Sequence, residues 1–146
     1  MAARVLDAGS LLSYLEAGPE AAEIVRLIKS ARDSGRNLMI CSVNWGEVMY
    51  LVAKDMSVQK ATEIDKVLAT LPIDVVSADQ SLTRIAASYR ADKGLPYTVC
   101  FAAALAKQKK AELVTSDAIF RSFDGELRIR WIRSNEGKSL TVKAGG

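Results

Sequence analysis

Three carboxylates in this chain lie where an α/β protein does its chemistry. Asp7 follows the apolar run Arg4-Val5-Leu6, Glu47 lies one turn beyond Leu38 to Cys41, and Asp117 closes Leu113-Val114-Thr115-Ser116. In open parallel sheets, ligands bind outside the carboxyl ends of the strands, so acids just after strands are the ones to inspect. The chain has no histidine among its 146 residues. That excludes Ser-His-Asp and Cys-His nucleophiles, imidazole acid/base catalysis and Cys/His zinc sites. Carboxylates, lysines, hydroxyls and a bound ion remain. Three converging carboxylates suit Mg2+ or Mn2+, hard cations that prefer oxygen. Each acid also has a plain structural use: Asp7 in an Asx turn, Asp117 capping a short helix at Ala118 to Ser122, Glu47 closing a capping box with Asn44. Taken singly the structural use is favoured. The joint placement after three strands favours the metal site.

The elements that must position these acids follow from periodicity. Ser10 to Leu15 and Pro19 to Ala31 have helical spacing, with Pro19 suited to a first turn. Asn37 to Cys41 reads as a buried strand, followed by a helix to about Lys54 with Ser42 or Asn44 as its N-cap. A helix over Ser57 to Thr70, a strand over Ile73 to Val76 and a helix over Ser77 to Asp92 come next. Tyr97 to Lys110 is an alanine-rich helix, Glu112 to Val114 a short strand, and Leu127 to Ile132 a last strand. Strands alternating with helices predict a mainly parallel sheet covered on both faces, a three-layer α/β/α sandwich.

Composition sets bounds consistent with that fold. A 49% hydrophobic, 25% charged chain of this length suits a single domain, taken here as residues 1–137 with a glycine-ending tail over 138–146. The longest apolar stretch, Tyr97 to Ala106, is far short of the ~20 residues a bilayer span needs. Met1-Ala2-Ala3-Arg4 runs straight into Val5, which predicts no leader and a cytoplasmic location. Cys41 and Cys100 sit in apolar runs and are expected as buried thiols. A net charge of +3 permits a nucleic-acid partner without requiring one.

Four ordered blocks carry a family resemblance. Val5-Leu6-Asp7-Ala8 with Leu11-Leu12-Ser13-Tyr14-Leu15, Ser42-Val43-Asn44-Trp45-Gly46-Glu47-Val48, Cys100-Phe101-Ala102-Ala103-Ala104-Leu105-Ala106 and Glu112-Leu113-Val114-Thr115-Ser116-Asp117 resemble the motifs of PIN domains, VapC toxins in particular. The resemblance implies a Mg2+- or Mn2+-dependent endoribonuclease that hydrolyses RNA phosphodiesters. It further implies neutralisation by a VapB-type antitoxin and a homodimer. Asp7 and Asp117 would be ion ligands and Glu47 would hold the ion or its water. Thr115 and Ser116 could orient a ligand through their hydroxyls.

The third family acid normally stands two residues before the phenylalanine of the alanine-rich helix, where this chain has Val99. Valine supplies no oxygen and removes negative charge, so ion affinity should fall and cleavage with it. Either the protein is a natural three-acid variant, or Val99 is a single-base lesion of the kind that expressing a toxin alone selects. The intact neighbouring motif favours the lesion. A catalytically inactive PIN-like protein that binds RNA or antitoxin is the alternative. Ser10 stands one place later than the family's usual hydroxyl, either serving the site or capping the helix that follows, with the cap favoured. For the RNA backbone, the candidate cations are Lys107, Lys109, Lys110, Arg121, Arg128, Arg130 and Arg133; a solvated helix end is the favoured use of the lysines, and ordinary strand-surface positions are the plain use of the arginines. Trp45 could stack on a base, although packing is the commoner use of such a tryptophan.

Overall fold

The computed structural model describes residues 2–133, so residues 134–137 and the expected tail at 138–146 lie outside the described residues. Five strands form one sheet: β1 (Arg4–Leu6), β2 (Leu38–Cys41), β3 (Ile73–Val76), β4 (Glu112–Thr115) and β5 (Ile129–Trp131). Their order is β3-β2-β1-β4-β5, and every pairing is parallel. The sequence expectation of a mainly parallel sheet therefore becomes a wholly parallel one among the described residues. Six α-helices join the strands: α1 (Ala8–Leu15), α2 (Ala21–Ser34), α3 (Ser42–Asp55), α4 (Val58–Leu68), α5 (Gln80–Lys93) and α6 (Tyr97–Lys109), and a 3₁₀ turn follows β4 at Ala118–Phe123.

Alternation along each strand sorts the helices into two layers. Val5, Cys41 and Leu113 point to one side, where they join Leu82 and Ala86 of α5, Cys100 to Ala106 of α6, and Phe120 and Phe123. Leu6, Leu38 and Val114 point to the other, against Ile24, Leu27 and Ile28 of α2. On that second side Ile40 meets Leu11 of α1, Val48 and Val52 of α3, and Leu68 of α4. Strands buried on both faces explain why β1 and β2 read as continuous apolar runs rather than alternating ones. Both cysteines are free and buried, as expected. No helix among the described residues is long and apolar enough to cross a membrane.

Several boundaries differ from those read in the sequence. Helix α1 starts at Ala8, because Asp7 caps it by accepting the Ser10 N–H. Helix α2 begins after Pro19, with Glu20 at its cap position. Helix α5 starts at Gln80, capped by Asp79, and ends at Gly94 in the left-handed region, φ 67°, which glycine adopts without steric cost. Helix α3 starts at Ser42, with Cys41 at the cap position and no side chain capping it. Neither Ser42 nor Asn44 is its cap, since both lie inside the helix.

Candidate functional site

The strand order decides where a site belongs. Chain direction outward from β1 reverses between its neighbours β2 and β4, and this switch point opens a crevice at the strands' carboxyl ends. Asp7 leaves the end of β1 and Asp117 follows β4, while Glu47 sits on α3 directly after β2. The three acids expected from sequence are thus carried by three adjacent strands. They line one cleft of about 70 Å³ together with Ala8, Gly9, Asn44, Thr98, Val99 and Phe120. That volume holds an ion and a few waters. It is too small for a nucleotide.

Asp7 is 5% exposed and already bonded through both carboxyl oxygens. Oδ1 accepts the Ser10 N–H at 2.8 Å and Oδ2 accepts the Thr115 hydroxyl at 2.5 Å. Thr115 Oγ1 in turn accepts the backbone N–H of Asp117 at 2.9 Å, so one buried hydroxyl ties the first acid to the last. Asp117 Oδ1 accepts the Ile119 N–H at 3.0 Å and caps the 3₁₀ turn. For Asp7 and Asp117 the capping role and the cleft position coexist.

For Glu47 the capping role fails. Asn44 is buried within α3, where its Nδ2 donates to the Thr98 carbonyl at 2.9 Å, so no capping box forms. The Asn-x-x-Glu spacing instead puts both side chains on one helix face, looking into the cleft. Asn44 and Thr98 are lining residues the sequence reading missed. That spacing was the available signal, and a turn rule claimed it.

The cleft is electrically unbalanced. Burial above all pushes the Asp7 carboxyl above its ordinary value of 3.8, against the hydrogen bonds from Thr115 and Ser10, and the charge of Asp117 adds to the rise. Burial likewise raises Glu47 above 4.5; a hydrogen bond from Asn44 opposes this and the charge of Asp7 reinforces it. No lysine or arginine lines the cleft. Carboxylates gathered without a counter-charge favour a cation.

The donor set fits such a cation loosely. Among the described residues, no three Asp, Glu, Cys or His side chains come close enough to form a ready metal cage. Mg2+ usually keeps several waters and uses one or two carboxylates, and Asp7 and Asp117 meet that demand. Val99 lines the same cleft and contributes a partly buried alkyl group packed on the core.

The remaining expected residues fall elsewhere. Ser10 does not cap α1 and is not among the residues lining the cleft: it is 1% exposed, its hydroxyl donates to the Val114 carbonyl at 3.0 Å, fastening α1 to β4, and its side chain also bonds the Asp7 carboxyl. Ser116 is exposed and donates to Glu20 at 2.9 Å. Lys107 and Lys109 are in the last turn of α6, about 12–15 Å along the helix from Val99 at 1.5 Å per residue, and Lys110 follows them. Arg128 donates to the Lys110 carbonyl and Arg121 stacks on the Trp131 ring. Trp45 faces away from the acids, into an apolar pocket with Leu11, Ile40, Leu68 and Ile73.

Comparison with known proteins fits this geometry. A search of curated protein sequences returned no match. Among solved structures, the chain is similar to one from the VapBC2 complex of Rickettsia felis bound to promoter DNA, at 16% identity and TM-score 0.69, covering 88% of this chain and 98% of that one. DNA-bound VapBC from Salmonella typhimurium gives 18% identity and TM-score 0.66, over 89% and 98%. VapC20 of Mycobacterium tuberculosis, a toxin that cleaves the sarcin-ricin loop, gives 12% and 0.63 over 82% and 94%. A family model for the PIN domain matches residues 4–126, which takes in all three carboxylates and Val99, and the chain belongs to the PIN domain family.

Proposed function

We propose that this chain is a VapC-type toxin, an endoribonuclease dependent on Mg2+ or Mn2+, held in check by a VapB-type antitoxin and weakened by Val99. The observation that carries the reading is the convergence of Asp7, Glu47 and Asp117 on one small cleft at the switch point of a PIN fold. The VapBC complexes among the structural neighbours support an antitoxin partner, and the sarcin-ricin loop toxin supports RNA as substrate. A homodimer and a cytoplasmic location follow from the VapC reading.

Asp7 and Asp117 would hold the ion, with Glu47 holding it or one of its waters. When bound, such an ion activates a water against a phosphodiester and stabilises charge on the phosphoryl oxygens. The chain's own contribution is placement. Thr115 fixes Asp7 relative to Asp117, and burial keeps Asp7 in one orientation. Thr115 is thus an orienting residue, whereas Ser10 fastens α1 to β4 and bonds the Asp7 carboxyl, and Ser116 is engaged by Glu20.

Val99 favours a second reading, a PIN-like protein that binds RNA or antitoxin without cutting. Calorimetric titration with Mn2+ separates the two. Saturable binding that Asp7→Asn abolishes supports the nuclease, and no binding at millimolar ion supports the inactive protein. Cleavage of RNA by Val99→Asp in Mg2+, stopped by chelator, tests the nuclease directly; a restored acid that leaves the chain as inert as before overturns it.

A further inference from the structure

Only two buried side-chain polar atoms among the described residues lack a hydrogen-bond partner, Ser13 Oγ and Asn44 Oδ1. Asn44 alone of the two lines the carboxylate cleft. It is 2% exposed, so bulk water does not satisfy that oxygen. The amide's orientation is fixed by its neighbour: the Thr98 carbonyl requires a donor, so Nδ2 faces α6 and the carbonyl is turned the other way. An unsatisfied acceptor in so sheltered a place calls for a donor. The ionised carboxylates beside it are acceptors only, and no lysine or arginine lines the cleft. The donor must come from outside the protein.

We infer that Asn44 is a positioning residue whose side-chain carbonyl receives a hydrogen bond from a water of a hydrated divalent cation, beside the place where Val99 offers no oxygen. The inference rests on the cation reading above and adds to it a residue that the three acids do not include. A cation's waters are polarised and donate strongly, and Mg2+ and Mn2+ retain most of theirs. A neutral acceptor in the outer shell orients those waters without adding charge. The same amide holds α3 to the first turn of α6 and opposes the rise in the Glu47 pKa. It therefore stands at the junction of the two elements that carry Glu47 and Val99.

The test is Mn2+ titration of the full chain, followed by electron paramagnetic resonance of the free ion, with Asp7→Asn as the control that locates binding in the cleft. Asn44→Val, which removes the acceptor, is expected to weaken binding about tenfold, the usual effect of losing an outer-shell partner. Asn44→Asp, with a charged acceptor, is expected to tighten it by a similar factor. Both variants lose the tie to Thr98. If Asn44 were structural only, both would unfold at lower urea and bind Mn2+ as the parent does, and that result overturns the inference while leaving the cation reading intact. Thr98→Asp adds the same charge to the cleft lining without altering the Asn44 carbonyl, so equal tightening there would assign the gain to charge alone and overturn it too. If neither the parent chain nor Val99→Asp binds Mn2+ saturably, the cation reading fails, and this inference with it.

Discussion

Replacing Val99 by aspartate should make the protein less stable without metal and more stable with it. Val99 is partly buried against the main core, so losing its alkyl contact costs about 1 kcal/mol, half of a full valine burial. A fourth carboxylate in the cleft adds repulsion of about 1 kcal/mol at a water-like dielectric. Position 99 is the third residue of α6, after Pro96 at the cap position, where a carboxylate gains about 0.5 kcal/mol from the helix dipole. The net loss of about 1.5 kcal/mol corresponds to a Tm lower by about 3–6 °C for a domain of this size. With Mg2+ at about a hundred times its Kd, binding returns about 2.7 kcal/mol, enough to carry the variant past its own metal-free loss. The parent chain, binding weakly, gains less. Thermal melts of both proteins in chelator and in millimolar Mg2+ give the comparison. A Mg2+-induced rise in Val99→Asp no larger than in the parent refutes the idea that position 99 faces the ion.

Three further outcomes follow from the same geometry. Thr115→Val keeps the shape but removes the hydroxyl that bridges Asp7 and Asp117, and should cost about 1–3 kcal/mol in urea unfolding. Because Asp7 and Glu47 have folded pKa values above 3.8 and 4.5, the folded state binds more protons than the unfolded one above those values. Stability of the metal-free protein should therefore fall as pH rises from about 4 through the raised carboxyl range, while Mn2+ affinity rises over the same window; Asp7→Asn should flatten the slope of a pH-dependent melt. Trp45→Ala should cost about 2 kcal/mol, half the usual loss for a fully buried tryptophan, and leave Mn2+ affinity unchanged, whereas weakened RNA binding at full stability would restore its stacking role.

The acids could be read from the sequence because each follows a strand whose apolar run is short and continuous, a pattern that parallel burial imposes. The strand order was not legible, since β1 pairing with both β2 and β4 is settled by contacts far apart in sequence. Local capping rules were sound where the acid stands just before its helix, as at Asp7 and Asp117. They misled at Asn44 and Ser10, where tertiary partners, the Thr98 and Val114 carbonyls, claimed side chains that look like caps in isolation. The lysines at the end of α6 read better as a solvated helix end than as an RNA surface, and the helix direction agrees with that. An N-terminus at the cleft sends its C-terminus to the far end of the sheet.

The most direct measurement is RNA cleavage in Mg2+ by Val99→Asp alongside the double variant Val99→Asp/Asp7→Asn, both confirmed folded by circular dichroism. If the cleft is a metal-dependent ribonuclease site, the single variant cuts, chelator stops it, and the double variant does not cut. Equal cleavage by the two, or none by a Val99→Asp chain that demonstrably binds Mg2+, contradicts it.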